Sequence, residues 1–392
     1  MSLSNITLSA AVRQNLLSLQ GTADLLAGTQ GRLASGKKVN SALDNPTNFF
    51  TSAGLESRAS DISNLLDSIG NGVQVLQAAN TGITSLSKLV DTAKSIANQV
   101  LQQPSGYSTK STASTTAAIA GTAANLVDGT NIKVGDTLAF AASTDGHLPA
   151  ITVTFTATES LDQLNAALAP GNLTASLDSA NKLVISAAND EASSTVGAIS
   201  FTGGGGTPAA FGAVAPPVKD LVSQSTRAGL VTQYNQIITQ ITTTAQDASF
   251  NGINLLNGDS LKLVFDETGH SNSTITGVTF SPAGLGLKAL TGGTDFIDNF
   301  STNNVLTSLN NASVTLRSQA SAFGANLSIV QIRQDFNKNI INVLQAGSAS
   351  LTLADSNEEA ANSQALSTRQ SIATSALSLA NQSQQSVLQL LR

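Results

Sequence analysis

A seven-residue hydrophobic repeat runs through residues 55–100. One row of the repeat consists of Leu55, Ile62, Ile69, Leu76, Ile83, Val90 and Ala97, and the companion row consists of Leu65, Gly72, Ala79, Leu86, Ala93 and Val100. Both rows fall on one face of an α-helix because residues three and four apart are neighbours there. A heptad of this length is typical of a helix that lies along other helices. At about 1.5 Å per residue the helix would be roughly 70 Å long, more than an ordinary compact domain needs.

Both ends of the chain carry shorter apolar stripes. The N-terminal stripe contains Leu16, Leu19, Leu26 and Leu33, and the C-terminal stripe contains Leu366, Ala373, Ala380 and Val387, with Leu377 and Leu391 in a companion row. Because the two stripes are similar in length, we expect the ends to lie side by side. Two such short stripes cannot easily offset the entropy of ordering both ends, at about 1–2 kcal/mol per residue. We therefore expect both ends to be disordered in the monomer and to fold on assembly.

The middle of the chain has a different pattern. Alternating runs at 132–140, 151–156, 173–177 and 182–186 predict β-strands, and Ser160 is a suitable N-cap for a short helix that ends at Leu168. A linker rich in glycine and proline follows at 203–217. Helix resumes near Gln224, runs at 261–265 and 275–280 predict a β-hairpin, and a second long helix follows from about Thr302. The apolar face of that helix is predicted at Ile329, Ile332, Phe336, Ile340 and Val343.

These patterns predict a mainly α fold. We expect a long antiparallel, coiled-coil-like helical rod formed by both chain ends, with a β-hairpin and an inserted α+β outer domain. The predicted divisions are a terminal helix at 1–45 paired with 350–392, a first rod segment at 46–104, the insert at 105–220, and the rest of the rod at 221–349. The candidate helix-packing and polymerisation residues are Leu16, Leu19, Leu26, Leu33, Ile62, Ile69, Leu76, Ile83, Ile332, Phe336, Leu366, Leu377, Val387 and Leu391.

Composition limits the classes of function and partner that fit this chain. Charged residues are 11% of the chain and the net charge is −6, whereas ordinary domains have about 25% charged residues. A surface of amides and hydroxyls suits a protein that packs against copies of itself. The acidic balance argues against nucleic acid as a partner. We expect no membrane insertion and no cleaved signal peptide, because an apolar run of about 18 residues and a basic leader are both missing.

The sequence predicts no enzyme and no cofactor. There is no Cys, which excludes disulfides and thiolate chemistry. The two histidines, His147 and His270, lie far apart in turn-like sequence, and we expect both to be exposed. No zinc-peptidase, phosphate-loop or serine-hydrolase motif occurs. The acidic cluster of Asp355, Glu358 and Glu359 has helical spacing, which favours a solvated or salt-bridging face over a catalytic site.

Motifs at both ends resemble those of bacterial flagellin, the filament protein of the flagellum. The run LASGKKVNSALDNP at 33–46 is similar to the signature RLSSG-x-x-INSA-x-D of that family, and the FNG at 250–252 is similar to its turn after a rod helix. The runs LTLADSNEEAAN at 351–362 and ALSLANQSQQSVLQLL at 376–391 resemble the C-terminal region of that family. The form LAD-x-NEE within the first run looks like flagellins of alphaproteobacteria. The resemblance covers about 1–104 and 221–392.

The resemblance implies helical stacking of many copies into a hollow extracellular filament for swimming. The terminal helices would line the inner tube, the rod would form the next shell, and the insert would face outward. It also implies export through the flagellar type III apparatus, and as partners a filament cap, hook–filament junction proteins and a secretion chaperone at the C-terminal helix. Two alternatives remain, namely a hook–filament junction protein, and an adhesin or carbohydrate-binding role of the insert.

Overall fold

A computed structural model describes residues 10–203 and 210–390. The helices in these ranges are α1 (Ala10–Ser35), α2 (Pro46–Gln102), α3 (Leu161–Leu168), α4 (Leu221–Asp247), α5 (Asn299–Thr352) and α6 (Ser356–Leu390). The strands are β1 (Tyr107–Thr109), β2 (Thr112–Ser114), β3 (Thr137–Phe140), β4 (Ile151–Thr154), β5 (Leu173–Leu177), β6 (Leu183–Ala187), β7 (Ile199–Thr202), β8 (Val218–Lys219), β9 (Ser260–Val264) and β10 (Asn272–Thr276). The mainly α fold is confirmed, because long helices from both chain ends flank a β-rich insert.

The chain divides into two compact units, and the first comprises residues up to 72, 262–273 and from 329 onward. In this unit α1 packs along α6. The first part of α2 packs on the last part of α5 through Ala59, Ile62 and Leu344. A side chain at Gly72 would overlap Leu263, so this gap in the heptad row makes room for strand β9.

The second unit comprises residues 73–261 and 274–328. Its part of α2 buries the predicted heptad rows, with Leu76, Ile83, Leu86 and Val90 almost fully inaccessible to solvent. A Cβ on Gly82 would lie 2.6 Å from Leu256 Cδ1, so the missing side chain lets the turn after α4 approach this helix. The strict heptad therefore predicted the buried face of α2 correctly.

Within the second unit, the insert is built from two three-stranded antiparallel sheets, ordered β2–β6–β5 and β4–β3–β7, with α3 against them. Ser160 caps α3 as predicted, and it forms a capping box with Gln163. The strand predicted at 132–140 is wrong in its first half. Gly135 has a φ of +88° and lies in a turn, so the strand begins only at Thr137.

The predicted β-hairpin exists, but its second strand is Asn272–Thr276 rather than 275–280. The strand ends just before Gly277, where a side chain would clash with the carbonyl oxygens of Asp259 and Leu255. The next amide, that of Val278, donates to the carbonyl of Leu255 at 2.8 Å. The chain therefore leaves the hairpin ladder at this glycine, which a count of alternating residues cannot reveal.

Candidate assembly surfaces

The predicted residues of α1 and α6 are only partly covered. Leu19, Leu26, Leu366 and Leu377 are half-buried, whereas Leu16 and Leu33 are exposed. The side chain of Val387 and the whole of Leu391 lie outside the described residues. Other apolar side chains of this pair are also exposed, namely Leu17, Leu25, Ile372 and Leu379. The pair therefore presents apolar surface that a monomer leaves in water.

The predicted residues of α2 lie on the inside of the chain. Ile62, Ile69, Leu76 and Ile83 are all buried. Each buried Leu or Ile side chain contributes about 1.5–3 kcal/mol. These four residues hold the subunit together, and they are not available to a second copy.

The last part of α5 has two apolar faces. Ile332 is 65% exposed and Phe336 is 53% exposed, and Ile329 and Val343 on the same face are also exposed. We define Ile329, Ile332, Phe336 and Val343 as the α5 stripe. The sequence predicted these residues as the apolar face of α5, with Ile332 and Phe336 as packing or polymerisation residues. The monomer leaves them exposed, and their role in polymerisation stays a prediction.

The structure instead buries the adjacent row on α5, made of Val330, Asn337 and Leu344. Asn337 holds this row in place, because its Nδ2 donates to the carbonyl of Phe265 at 2.9 Å. Because the middle residue of this row is polar, a search for apolar residues at helical spacing does not identify the row as buried. The more apolar α5 stripe is thus left free for contact with another molecule.

The break between α1 and α2 lies beside the break between α5 and α6. The amide of Lys38 donates to the carbonyl of Thr352 at 2.7 Å, and the amide of Ala354 donates to the carbonyl of Gly36 at 3.0 Å. Gly36 has a φ of +67°, which favours glycine. Arg32 and Glu359 form an ion pair at 3.4 Å. The motif at 33–46 and the acidic run near 355 therefore contact each other where α1 connects to α2 and where α5 connects to α6.

Arg227 of α4 is a structural residue that sequence reasoning missed. Its side chain is 2% exposed. The guanidinium donates to the carbonyls of Pro104 at 2.9 Å, Gln103 at 3.2 Å and Phe296 at 2.9 Å. Burial lowers the pKa of Arg227. Arg227 ties α4 to the segment where α2 ends and the insert begins, and nothing in the sequence pattern signals this role, because its acceptors are backbone atoms.

The expectation that both histidines are exposed is correct for one of them and wrong for the other. His270 is exposed, as expected. His147 is half-buried, and its ring lies 4.6 Å from that of Phe300 between centroids, so the expectation of an exposed loop histidine is wrong here. Among the described residues there is no cluster of three metal-binding side chains. The described helices include none suited to cross a membrane.

Family models match both ends of the chain. A model of the bacterial flagellin N-terminal helical region matches residues 5–146, past the predicted start of the insert at 105. A model of the bacterial flagellin C-terminal helical region matches residues 306–391. The two matches together cover more than half of the chain.

Curated relatives come from Caulobacter vibrioides. Flagellin FljM is 30% identical over 164 residues, which are 42% of this chain and 59% of the relative. Flagellin FljK is 29% identical and flagellin FljO is 27% identical, with the same shares. The chain thus spans about 59% of the length of the curated relatives it matches.

Proposed function

Because the chain belongs to the bacterial flagellin family, we propose that it is a structural subunit that polymerises helically into the flagellar filament. The observation that carries this proposal is the α5 stripe, whose Ile332 and Phe336 are more than half exposed in the monomer. Four large apolar residues on one helix face are costly to leave in water, and a second copy can cover them. Negative-stain electron microscopy tests the proposal, because it predicts long filaments from the full chain, and persistent monomers would contradict it.

The proposed arrangement assigns each part of the chain a layer. The terminal helices, within 1–45 and 350–392, line the inner tube, and the segments 46–104 and 221–349 form the surrounding shell. The insert at 105–220 faces outward. The half-covered stripes of α1 and α6 support the inner position, since neighbouring copies would complete their burial.

The proposed location is outside the cell, reached through the flagellar export apparatus without a cleaved signal peptide. A filament cap and hook–filament junction proteins are the proposed neighbours at the two ends. The proposed site for a secretion chaperone is α6, where Ile372 and Leu379 are exposed. The role is structural, with no reaction and no cofactor.

The terminal helices are expected to exchange their amide hydrogens rapidly in the free monomer. The structure pairs α1 with α6, but Leu17, Leu25, Ile372 and Leu379 gain little burial from the pair, and low burial permits local unfolding. Hydrogen exchange followed by mass spectrometry should show fast exchange there in the monomer and strong protection in the filament. Residues 69–100 of α2 are the internal control and stay protected in both. Equal protection of α1 and α2 in the monomer would refute the expected disorder of the ends.

Removal of the insert is expected to leave assembly intact. Strands β1 and β8 pair with each other, with Thr109 opposite Val218, so a short Gly-Ser linker can replace 111–216 and keep this pair. A filament built from the helices still forms, as judged by sedimentation and microscopy. Complete loss of assembly would show that the insert is part of the filament scaffold. An unchanged filament that no longer binds cells or polysaccharide would support an added adhesin role.

A further inference from the structure

One short segment of the insert, residues 190–194, attaches it to the beginning of helix α5. The amide of Phe300 donates to the carbonyl of Asp190 at 2.9 Å, and Asn299 Nδ2 donates to Asp190 Oδ1 at 2.9 Å. Ser193 Oγ donates to the carboxylate of Asp298. These contacts join the insert to the residues that start α5.

Glu191 lies at the centre of this attachment, and its side chain is 1% exposed. Its Oε2 has no hydrogen-bond partner among the described residues. The ring of His147 faces it, with Nδ1 3.6 Å from Oε2, and that nitrogen also lacks a hydrogen-bond partner in the described part of the chain. A buried carboxylate oxygen that accepts no hydrogen bond makes the ionised form of the acid unfavourable.

The surroundings of Glu191 are mainly acidic. Asp145 and His147 face it from the turn between β3 and β4, Asp190 precedes it, and Asp298 lies before α5. Three other groups lie near these acids. Arg227 of α4 and Tyr107 of β1 interact electrostatically with Asp298. Lys110 Nζ donates to Asn189 Oδ1 at 3.1 Å. An ionised Glu191 would therefore add a negative charge that Asp298, Asp145 and Asp190 all repel.

We propose that Glu191 binds a proton at neutral pH, and that this proton fastens the insert to helix α5, so that its loss in alkaline solution releases segment 190–194. The neutral acid removes the repulsion from the three aspartates and can share its proton with His147 through a small movement or one water. The attachment that this proton stabilises lies within one subunit. It can therefore be measured in the free monomer, whether or not copies assemble.

The direction of the pH dependence follows from the pKa. Burial, together with the charges of Asp298, Asp145 and Asp190, raises the pKa of Glu191 to about 8. An unfolded glutamate has a pKa of about 4.3. The stability that the proton provides is therefore fully present below about pH 4 and is lost as the pH rises through about 8.

The full chain carries its own reporter for this test. Its two tyrosines are Tyr107 and Tyr234, and it has no Trp. Tyr107 interacts with Asp298, and Tyr234 lines a cavity of about 280 Å³ together with His147 and Phe300. Tyrosine fluorescence during urea unfolding thus reports on the region around Glu191.

The experiment compares the natural chain with Glu191→Gln across pH 5 to 9.5. We expect the unfolding equilibrium constant of the natural chain to rise on the order of 100-fold more than that of Glu191→Gln between pH 5 and 8, and the two curves to run parallel above about pH 9. The matched control is Glu159→Gln. Glu159 is also buried, but it accepts a hydrogen bond from Thr156 Oγ1 at 2.7 Å, so this variant should follow the natural chain. Parallel curves for Glu191→Gln and the natural chain over the whole range would overturn the proposal.

A second measurement needs no variant of Glu191. The chain has two histidines, so proton NMR resolves both rings and His270→Gln assigns them. The His147 resonance should shift near pH 8, as its neighbour Glu191 loses its proton, and the His270 resonance serves as the reference. If the His147 resonance does not shift near pH 8, the proposal is overturned even if Glu191→Gln fails to fold.

Discussion

The double substitution Ile332→Ser with Phe336→Ser is expected to abolish filament assembly while leaving the monomer almost as stable as before. The side chains of Ile332 and Phe336 are 65% and 53% exposed, so the monomer loses few internal contacts, and exposed substitutions usually change stability by about 0.5 kcal/mol or less. In a filament the same two side chains would be covered, each contributing about 1.5–3 kcal/mol per subunit. The critical concentration for assembly should therefore rise at least about 100-fold.

Seeded assembly followed by sedimentation measures this concentration, and urea unfolding of the monomer measures its stability. Val314→Ser is the matched control, because Val314 is 64% exposed on the same helix but lies outside the α5 stripe. It should assemble like the natural chain. If the double variant assembles at the normal concentration, the α5 stripe is not a contact between copies. If its monomer is instead destabilised by several kcal/mol, the stripe packs within the chain.

Arg227→Met is expected to destabilise the monomer by about 3–5 kcal/mol. The methionine keeps much of the volume but leaves the carbonyls of Pro104, Gln103 and Phe296 without their donor. Removing one partner of a buried charged interaction typically costs about 3–5 kcal/mol, and here the carbonyls that lose their donor are left unpaired. The loss should appear as a lower urea midpoint by circular dichroism.

Two further variants show whether the effect of Arg227→Met comes from its three hydrogen bonds. Arg227→Lys keeps the charge but lacks the planar guanidinium that reaches three carbonyls. Its loss of monomer stability should therefore lie between zero and that of Arg227→Met. Arg317→Met, on an exposed position of α5, should change stability by less than about 0.5 kcal/mol. A loss below about 1 kcal/mol for Arg227→Met would mean that the three carbonyls find other donors and that Arg227 does not hold this junction.

Patterns that repeat along one element could be predicted from the sequence. The heptad of α2 repeats often enough that Ile69, Leu76 and Ile83 had to share a face, and all three are buried. The capping box of α3 is local, so Ser160 was also recognisable. The existence of most strands followed from alternation, but their ends depend on glycine conformations and distant backbone contacts, as at Gly135 and Gly277.

Features that depend on partners far away in sequence could not be predicted. On α5 the hydrophobic pattern favoured the more apolar row, whereas the buried row is the one that contains Asn337, whose Nδ2 donates to the carbonyl of Phe265. Arg227 bonds backbone carbonyls more than 60 residues away. Glu191 and His147 are brought together only by the fold of the insert. The role of the exposed residues in contacts between copies stays a prediction, because it concerns a second molecule.

We infer that this chain polymerises through its terminal helices and rod. Negative-stain electron microscopy of the purified full chain, after addition of a precipitating salt or sheared filament seeds, tests it most directly beside a version trimmed of residues 1–35 and 360–392. We predict long filaments of uniform diameter from the full chain and none from the trimmed chain. Persistent monomers from both, under conditions in which the full chain is folded, would contradict the claim and point to a junction role or a soluble binding protein.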